Sequence, residues 1–498
     1  MTWSQLLLVG VLAVPAIGAL VTAVLPELPG RRAAAGFALA TLMLVGLLGL
    51  TRGTGWSGYG LPAVVPWAEY RVSWVPALNL DFHLGVDGLS YPLVALTALL
   101  TLLCCGYTVR HVPGGGGSGR TLAALLLTLE VGILGTFLAF DLVLFFLFFE
   151  VVLLPMYAVI AGWGGAQRQA AARKFVLYTL LGSVLLLLGV FTVVAAAGTA
   201  DLMALAGGLG LSRTTQYAAF ALFAAAFAVK APLWPLHTWL PDAHTEAPTV
   251  GSVILAGVLL KMGTYGLIRI GVGVAPAGAA WAAPTLGVLA AAAIVVGALL
   301  CLRQTEVKRL IAYSSVGHMG FVLLGIATLT VTGLQAALIG NIAHGVITGL
   351  LFFLAGAIKD RTGTGDLDAL GGLRETAPRL AGLFGFAALA SLGLPGLAGF
   401  WGEAFAVVAA VEHGGALWTT LAVVAAIGGA LTAAYFLRLL RRLTHGPARA
   451  ELSQPWVGGV EWVAWSPLLA LALAVGLMPA LVLAATGDPL AALTGAAR

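Results

Sequence analysis

Apolar runs of about 20 residues recur from one end of this 498-residue chain to the other. In hydrocarbon every backbone N–H and C=O must find its partner inside the protein, so runs of this length read as spanning helices. Fourteen can be delimited, at 3–24, 33–50, 87–109, 121–139, 142–162, 172–198, 215–236, 248–272, 281–302, 309–330, 332–358, 380–410, 416–438 and 465–486. Only 9% of residues are charged, against about a quarter in soluble domains. The expected fold class is therefore an all-α polytopic membrane protein with about 14 transmembrane helices, leaving no room for a soluble domain.

The first run has no basic residue ahead of it, and Arg31 and Arg32 follow it. That pattern predicts an uncleaved helix with its N-terminus outside. In this orientation the inner loops carry eighteen Lys and Arg, and the outer side carries Arg52, Arg71, Arg213, Arg269 and Arg498. The bias places both termini outside. Two basic residues remain, Lys230 and Lys261, both inside predicted helices. The net charge of +5 thus reflects topology and gives no reason to expect nucleic acid. Cys104, Cys105 and Cys301 all fall in apolar runs, without metal spacing, and read as small core residues.

Residues 51–86 form a long outer segment expected to hold turns or short strands, and "PGGGGSG" (113–119) reads as a flexible inner linker. A second polar inner segment covers 359–379. "GTGWSG" (53–58) fits G-x-G-x-x-G but lacks a βαβ context, so it reads as a turn. No P-loop, CxxC or HExxH pattern occurs, and no cofactor or metal is expected in this chain. The organisation expected is helices one to three (1–119), a five-helix unit (120–275), a second five-helix unit (276–440) and a C-terminal helix (441–498). The fourth member of each unit is interrupted, helix seven by the prolines after Lys230 and helix twelve by "SLGLPGLAGFWGEAF" (391–405). Five is odd, so the second unit sits inverted, and paired interruptions point to a transport site at the midplane.

A charge at the centre of a membrane helix costs about 2.5–3.5 kcal/mol on insertion scales. The residues that bear this cost are the candidates for function. Lys230 precedes Pro232, Pro235, Pro241 and Pro248. Carbonyls freed by such a break need water or polar partners, and water there would give the ammonium a path for protons. A lysine snorkelling to the surface is the plainer reading. It fits Lys261 less well, because Lys261 lies midway along "PTVGSVILAGVLLKMGTYGLIRI". Glu150, in "LFFLFFEVVLLPMY", is expected to pair with Lys230; separating the pair releases a proton from the lysine and restoring it recaptures one. A structural ion pair would use the same residues. His318 and His344 suit a relay near neutral pH, or a simple interhelical hydrogen bond. Glu403, beside the second interruption, suits an outward carrier or a capping carboxylate. His237, Asp242 and His244 lie in the broken region and are expected at a proton intake, with Glu130 an auxiliary buried acid or a local partner.

Five stretches carry a resemblance: "HLGVDGLSYPL" (83–93), "FFLFFEVVLLPMYAVIAGWGG" (145–165), "KAPLWPLHTWLPDAHTEAPTVGSVILAGVLLKMGTYGLIR" (230–269), "VKRLIAYSSVGHMGF" (307–321) and "GLPGLAGFWGEAF" (393–405). Together they make the chain resemble the antiporter-like proton-pumping subunits of respiratory complex I, NADH–quinone oxidoreductase, of the subunit M or chain 4 type. The resemblance implies two inverted five-helix repeats, with helices seven and twelve broken. It implies Glu150 and Lys230 as a coupled pair, Lys261 as central carrier, His318 and His344 as relay, and Glu403 as exit-side carrier. It implies a bacterial plasma (inner) membrane. NADH, flavin, iron–sulfur clusters and quinone would be handled by partner subunits, and the neighbours would be other antiporter-like membrane-arm subunits. The D-type member of the multi-subunit cation/proton antiporters shares the "KAPL…LPDAH" stretch (230–244), and the membrane subunit of energy-converting hydrogenases shares most of these motifs. Glutamate at 403 separates the first of these, because those antiporters usually place lysine there. The buried charges disfavour a purely structural scaffold.

Overall fold

The computed structural model describes residues 1–52, 65–76, 80–114, 116–484, 493 and 495. The chain begins with α1 (Trp3–Val24) and α2 (Glu27–Leu50), then a two-stranded antiparallel hairpin of β1 (Ala68–Val75) and β2 (Leu80–Val86). Next come α3 (Tyr91–Thr108), α4 (Gly119–Leu138), and α5 (Leu142–Val151) with α6 (Leu153–Trp163), which are two parts of one span stepped at Val152. After α7 (Arg168–Ala197), α8 (Arg213–Lys230) stops at the first proline cluster and a short α9 (Trp239–Glu246) follows.

One span, Thr249–Val272, is made of four pieces. These are α10 (Thr249–Ile254), a π-helical stretch Leu255–Leu259, α11 (Leu260–Gly266) and a second π-helical stretch Leu267–Val272. The rest comprises α12 (Pro276–Arg303), α13 (Val307–Ala327), α14 (Val331–Thr362), α15 (Leu373–Thr376), α16 (Pro378–Ser391), α17 (Gly399–His413), α18 (Gly415–Thr444), α19 (Gly459–Leu477) and α20 (Ala480–Leu483). Among the described residues, twelve helices are long and apolar enough to cross a membrane.

Local chemistry sets the ends of these helices. Ser118 caps α4 by accepting from the Thr121 N–H, and Asp141 caps α5 by accepting from Val143 and Leu144. Gly198 and Gly363 close α7 and α14 in the left-handed conformation. The expected runs and the observed helices largely coincide, with three exceptions. The run 215–236 ends as helix at Lys230, the run 380–410 divides into α16 and α17 around residues 392–398, and the run 465–486 is met by α19, which starts earlier, at Gly459, and ends at Leu477 before the short α20. "GTGWSG" lies outside the described residues.

The span Thr249–Val272 is buried along its whole length, and α13 and α14 are nearly so. They form the centre of the bundle. Peripheral α2 and α7 present Met43, Leu47, Leu177, Leu181 and Phe191 outward. Lipid tails are as apolar as these side chains, so close packing of small residues, rather than apolar burial, must hold helices together. Gly345 of α14 illustrates this: a Cβ there would stand 2.6 Å from the Gly257 carbonyl of the first π-helical stretch. The close approach brings Lys261 and His344 together.

The charge count needs correction at three residues. Arg269, counted with the outer-side charges, is buried inside the span Thr249–Val272, where it pairs with Asp87. Lys308 and Arg361, expected in inner loops, are also buried. Arg361 makes a two-pronged contact with Glu461 (2.9 and 2.7 Å) and donates to the carbonyls of Ala357, Gln454 and Trp456. It thereby fastens α19 and the segment before it onto α14. Glu461→Ala should cost about 3–5 kcal/mol by stranding the guanidinium, whereas the double change Arg361→Met with Glu461→Leu should cost much less. Apparent melting temperatures of the purified complex test this, and equal losses in the two variants would sink the assignment.

Candidate functional site: a buried row of titratable side chains

Lys230 is the last residue of α8, and its ammonium lies 4.7 Å from the centre of the Phe149 ring. Several carbonyls at the break find polar partners within the protein. The Trp239 indole donates to the Val229 carbonyl (3.0 Å), and the N–H groups of Ala231 and Leu233 return to Phe227 and Ala228. Glu150 follows Phe149 on α5 and accepts a hydrogen bond from the Ser183 hydroxyl of α7. Among the described residues no ion pair joins Glu150 to Lys230. The expected pair is therefore neighbourly but not in contact, with the Phe149 ring beside the ammonium.

Lys261 lies in α11 between the two π-helical stretches and is fully buried. A π-helical stretch widens the turn and leaves carbonyls off the regular ladder. The Lys261 ammonium donates to one of them, Ala256 O, at 2.5 Å, and lies 2.5 Å from His344 Nδ1 of α14. The His344 and His318 rings are 5.7 Å apart. His318 Nε2, on α13, lies 2.9 Å from the Ser391 carbonyl at the end of α16 and 3.4 Å from Glu403 Oε1 on α17. Four of the expected residues, Lys261, His344, His318 and Glu403, are thus brought into one row.

A cavity of about 30 Å³ runs along the end of this row, lined by His318, His344, Thr348, Ser391, Gly402 and Glu403. It is large enough for one or two water molecules by the usual measure of about 10–15 Å³ each. His344 Nε2, His318 Nδ1 and Glu403 Oε1 are buried without hydrogen-bond partners among the described residues. Glu403 also lines a larger groove of about 400 Å³ with Phe321, Gly393, Phe400 and Gly429. One carboxylate therefore touches both the inner cavity and the groove.

The remaining candidates stand apart. Glu130 is wholly buried in α4, and neither of its oxygens has a hydrogen-bond partner among the described residues. Asp242 of α9 pairs with Lys174 (2.7 Å) and Arg309 (3.2 Å), tying α9 to α7 and α13. His244 is buried and stacks on Phe352 at 4.5 Å, while His237 stands edge-on to Tyr313 at 6.3 Å.

Two polar groups at the hairpin end escaped the sequence reading. Asp87, just before α3, holds Arg269, whose Nε donates to the Tyr265 hydroxyl (3.1 Å). The uninterrupted apolar stretch around Arg269 was the available signal. The second group joins β1 and β2 to the loop after α7. His83 Nδ1 lies 3.0 Å from Asp201 and its Nε2 2.9 Å from Glu69, and Arg71 pairs with Asp81 and Asp201. Burial pushes the Asp201 carboxyl up, but the His83 and Ala204 hydrogen bonds and the Arg71 charge outweigh it and hold it below its ordinary value. Sequence spacing carries no sign of this cluster.

A bundle of membrane-length helices with a row of titratable side chains along its buried centre has the make-up of an ion-translocating membrane protein. Residues 139–429 match the family described as "NADH:quinone oxidoreductase/Mrp antiporter, TM". The chain is 44% identical to "NAD(P)H-quinone oxidoreductase chain 4 1" of Synechococcus sp. (strain JA-3-3Ab), over 85% of this chain and 80% of that one. It is 41% identical to "NADH-quinone oxidoreductase subunit M" of Rhodobacter capsulatus, over 82% and 81%. Among solved structures, a chain of respiratory complex I from Thermus thermophilus with bound NADH superposes with a TM-score of 0.87 at 31% identity, covering 99% of this chain and all of that one. The chain belongs to the NADH:quinone oxidoreductase/Mrp antiporter transmembrane family.

Proposed function

We propose that this chain is a proton-translocating membrane subunit of an NADH–quinone oxidoreductase, in which protons pass through Lys261, His344, His318 and Glu403. The observation that carries this reading is the buried row itself. Each member can take up or release a proton, and successive members stand at 2.5, 5.7 (between rings) and 3.4 Å. Such a row is expensive in hydrocarbon and has no evident packing purpose.

Glu150 and Lys230 form the input switch. With the Glu150 charge drawn close, Lys230 holds its proton; with Glu150 turned to Ser183, as found here, the lysine is freer to release one. His237, Asp242 and His244 serve the intake at the end opposite the hairpin, and Glu130 is auxiliary. Redox work, with NADH, flavin, iron–sulfur clusters and quinone, belongs to partner subunits, among them the neighbouring antiporter-like subunits of the membrane arm. Adding the two interrupted segments, α8–α9 and α16–α17, to the twelve long helices gives fourteen crossings. The chain would then lie in a bacterial plasma membrane with both termini and the hairpin outside.

Two inverted five-helix repeats, 120–275 and 276–440, are supported by a pair of matching strand bridges. Asp141, the cap of α5, bridges Asp201, and Glu306, the cap of α13, bridges Asp366 at the other end of the bundle. Leu142 donates to Ala200 O and Leu202 to Phe140 O; Val307 donates to Gly365 O and Leu367 to Thr305 O. Each member of the second set lies 165 positions after its counterpart (142 and 307, 200 and 365, 202 and 367, 140 and 305). Two copies of one unit, placed upside down, would produce this.

The test is Lys230→Met in membrane vesicles, with NADH oxidation and proton uptake measured together and Na⁺ tolerance of the cells recorded. Pumping and turnover should both fall while Na⁺ tolerance holds. Normal NADH-driven pumping with collapsed Na⁺ tolerance would instead assign the chain to a cation/proton antiporter.

A further inference from the structure

We infer that the Arg269–Asp87 pair is an electrostatic seal that closes the direct way out from Lys261 to the hairpin end and so forces its proton sideways, toward His344 and Glu403. The inference rests on the relay proposed above and adds a residue that carries no proton itself.

A proton on Lys261 has two directions available. Sideways it meets His344 directly. Toward the hairpin end along its own helix the next polar side chain is Thr264, whose hydroxyl touches not the ammonium but the Lys261 backbone carbonyl (3.2 Å) and Asn341 Oδ1 (3.0 Å). A hydroxyl can pass a proton on, so a first polar step toward the hairpin end exists. Arg269 comes eight positions after Lys261, about 12 Å further along the helix axis at about 1.5 Å per residue. Its guanidinium stays charged at any physiological pH and cannot act as a proton carrier. Its carbon lies 5.0 Å from the Phe140 ring centre and 5.4 Å from that of Tyr265. The Tyr265 hydroxyl donates to the Phe137 carbonyl at 3.0 Å.

Asp87 is the group that could carry a proton past this point, and it is fully engaged. One oxygen accepts from the Leu89 and Ser90 N–H groups at 3.0 and 2.9 Å, and the other accepts from Arg269. Both residues are buried. The pair therefore places an unexchangeable positive charge, flanked by two rings, across the shortest outward line. A buried ion pair is a poor source of stability, since apolar replacements of similar volume often do as well. Retaining one at this position calls for another benefit, and selective closure supplies it.

The test uses the assembled complex in proteoliposomes without NADH. A pH step is imposed and its decay followed with an entrapped dye. Arg269→Gln should speed the decay roughly tenfold or more, the effect of removing a unit charge several ångströms from the proton's line at the effective dielectric of protein interiors. Arg269→Lys, which keeps the cation, should restore most of the tightness. Combining Arg269→Gln with Lys261→Met should return the decay to the wild-type rate, because the leak starts from Lys261. If Arg269→Gln fails to assemble, Arg269→Gln with Asp87→Asn leaves no stranded charge and should leak alike. A tight Arg269→Gln or double variant overturns the seal, as does a leak that ignores Lys261→Met, which would mark a packing defect. The relay is judged separately, by whether Lys261→Met alone abolishes NADH-driven pumping.

Discussion

Lys261→Met in the assembled complex is expected to stop proton transfer through this chain without weakening the bundle. The lysine is the sole link in the observed row between the helix Thr249–Val272 and His344. Positioned proton-transfer groups typically contribute on the order of a hundredfold or more to such steps, so flux through the chain should drop by about that factor. If redox turnover and pumping are obligately linked, NADH oxidation falls with it. Stability should behave otherwise. The buried ammonium costs about 2.5–3.5 kcal/mol in a membrane helix, and methionine removes that cost. Against this stand the lost partners of His344 Nδ1 and of the Ala256 carbonyl, together worth about 2–4 kcal/mol at about 1–3 kcal/mol each with partial relaxation. The two nearly cancel, so the apparent melting temperature of the complex should stay within a few degrees of wild type. Proton uptake by inverted vesicles together with a melting curve reads both. An active variant removes Lys261 from the relay, and an inactive but strongly destabilised one shows that the ammonium serves packing.

How much of this was legible in the sequence depended on the range of the interaction. Helix positions follow from local hydropathy, and the breaks after Lys230 and around residues 392–398 follow from Pro and Gly chemistry that acts on neighbouring residues. Lys261, His318, His344 and Glu403 could be singled out one by one, because a polar group in an apolar run is conspicuous. Their arrangement in a row depends on how α11, α13, α14 and α17 cross, and that is set by small-residue contacts such as Gly257 with Gly345 between segments far apart in the chain. Arg269 shows how counting can fail. Counted with the outer-side charges, it is a buried residue whose partner, Asp87, lies 182 positions earlier. The π-helical stretches beside Lys261 were invisible for a related reason: an apolar sequence reads the same whether its turns are regular or widened, and tertiary packing decides. Glu150 and Lys230 were expected to touch because opposite charges in hydrocarbon attract; Ser183 offers Glu150 a competing partner that no local pattern reveals.

Glu403→Gln should block release at the far end of the row and leave its input intact. Among the described residues, Glu403 is the one titratable side chain that lines both the small cavity shared with His318 and His344 and the larger groove past Phe321. Glutamine keeps its size, so packing is preserved, and His318 keeps its hydrogen bond to the Ser391 carbonyl, but glutamine cannot bind and release a proton near neutral pH. Pumping should therefore fall on the order of a hundredfold, as for loss of any positioned proton carrier. Glu403→Asp gives the sharper reading. It keeps the carboxyl but draws it back by about one C–C bond length, roughly 1.5 Å, lengthening a 3.4 Å approach to His318 Nε2 beyond hydrogen-bond range. A proton can then cross only through bridging water. Glu403→Asp should thus pump more slowly than wild type and faster than Glu403→Gln, with a larger slowing in heavy water than the wild-type protein shows. Equal rates for Glu403→Asp and Glu403→Gln would mean that the position needs shape and length, not a proton, and would assign Glu403 to closing the break between α16 and α17.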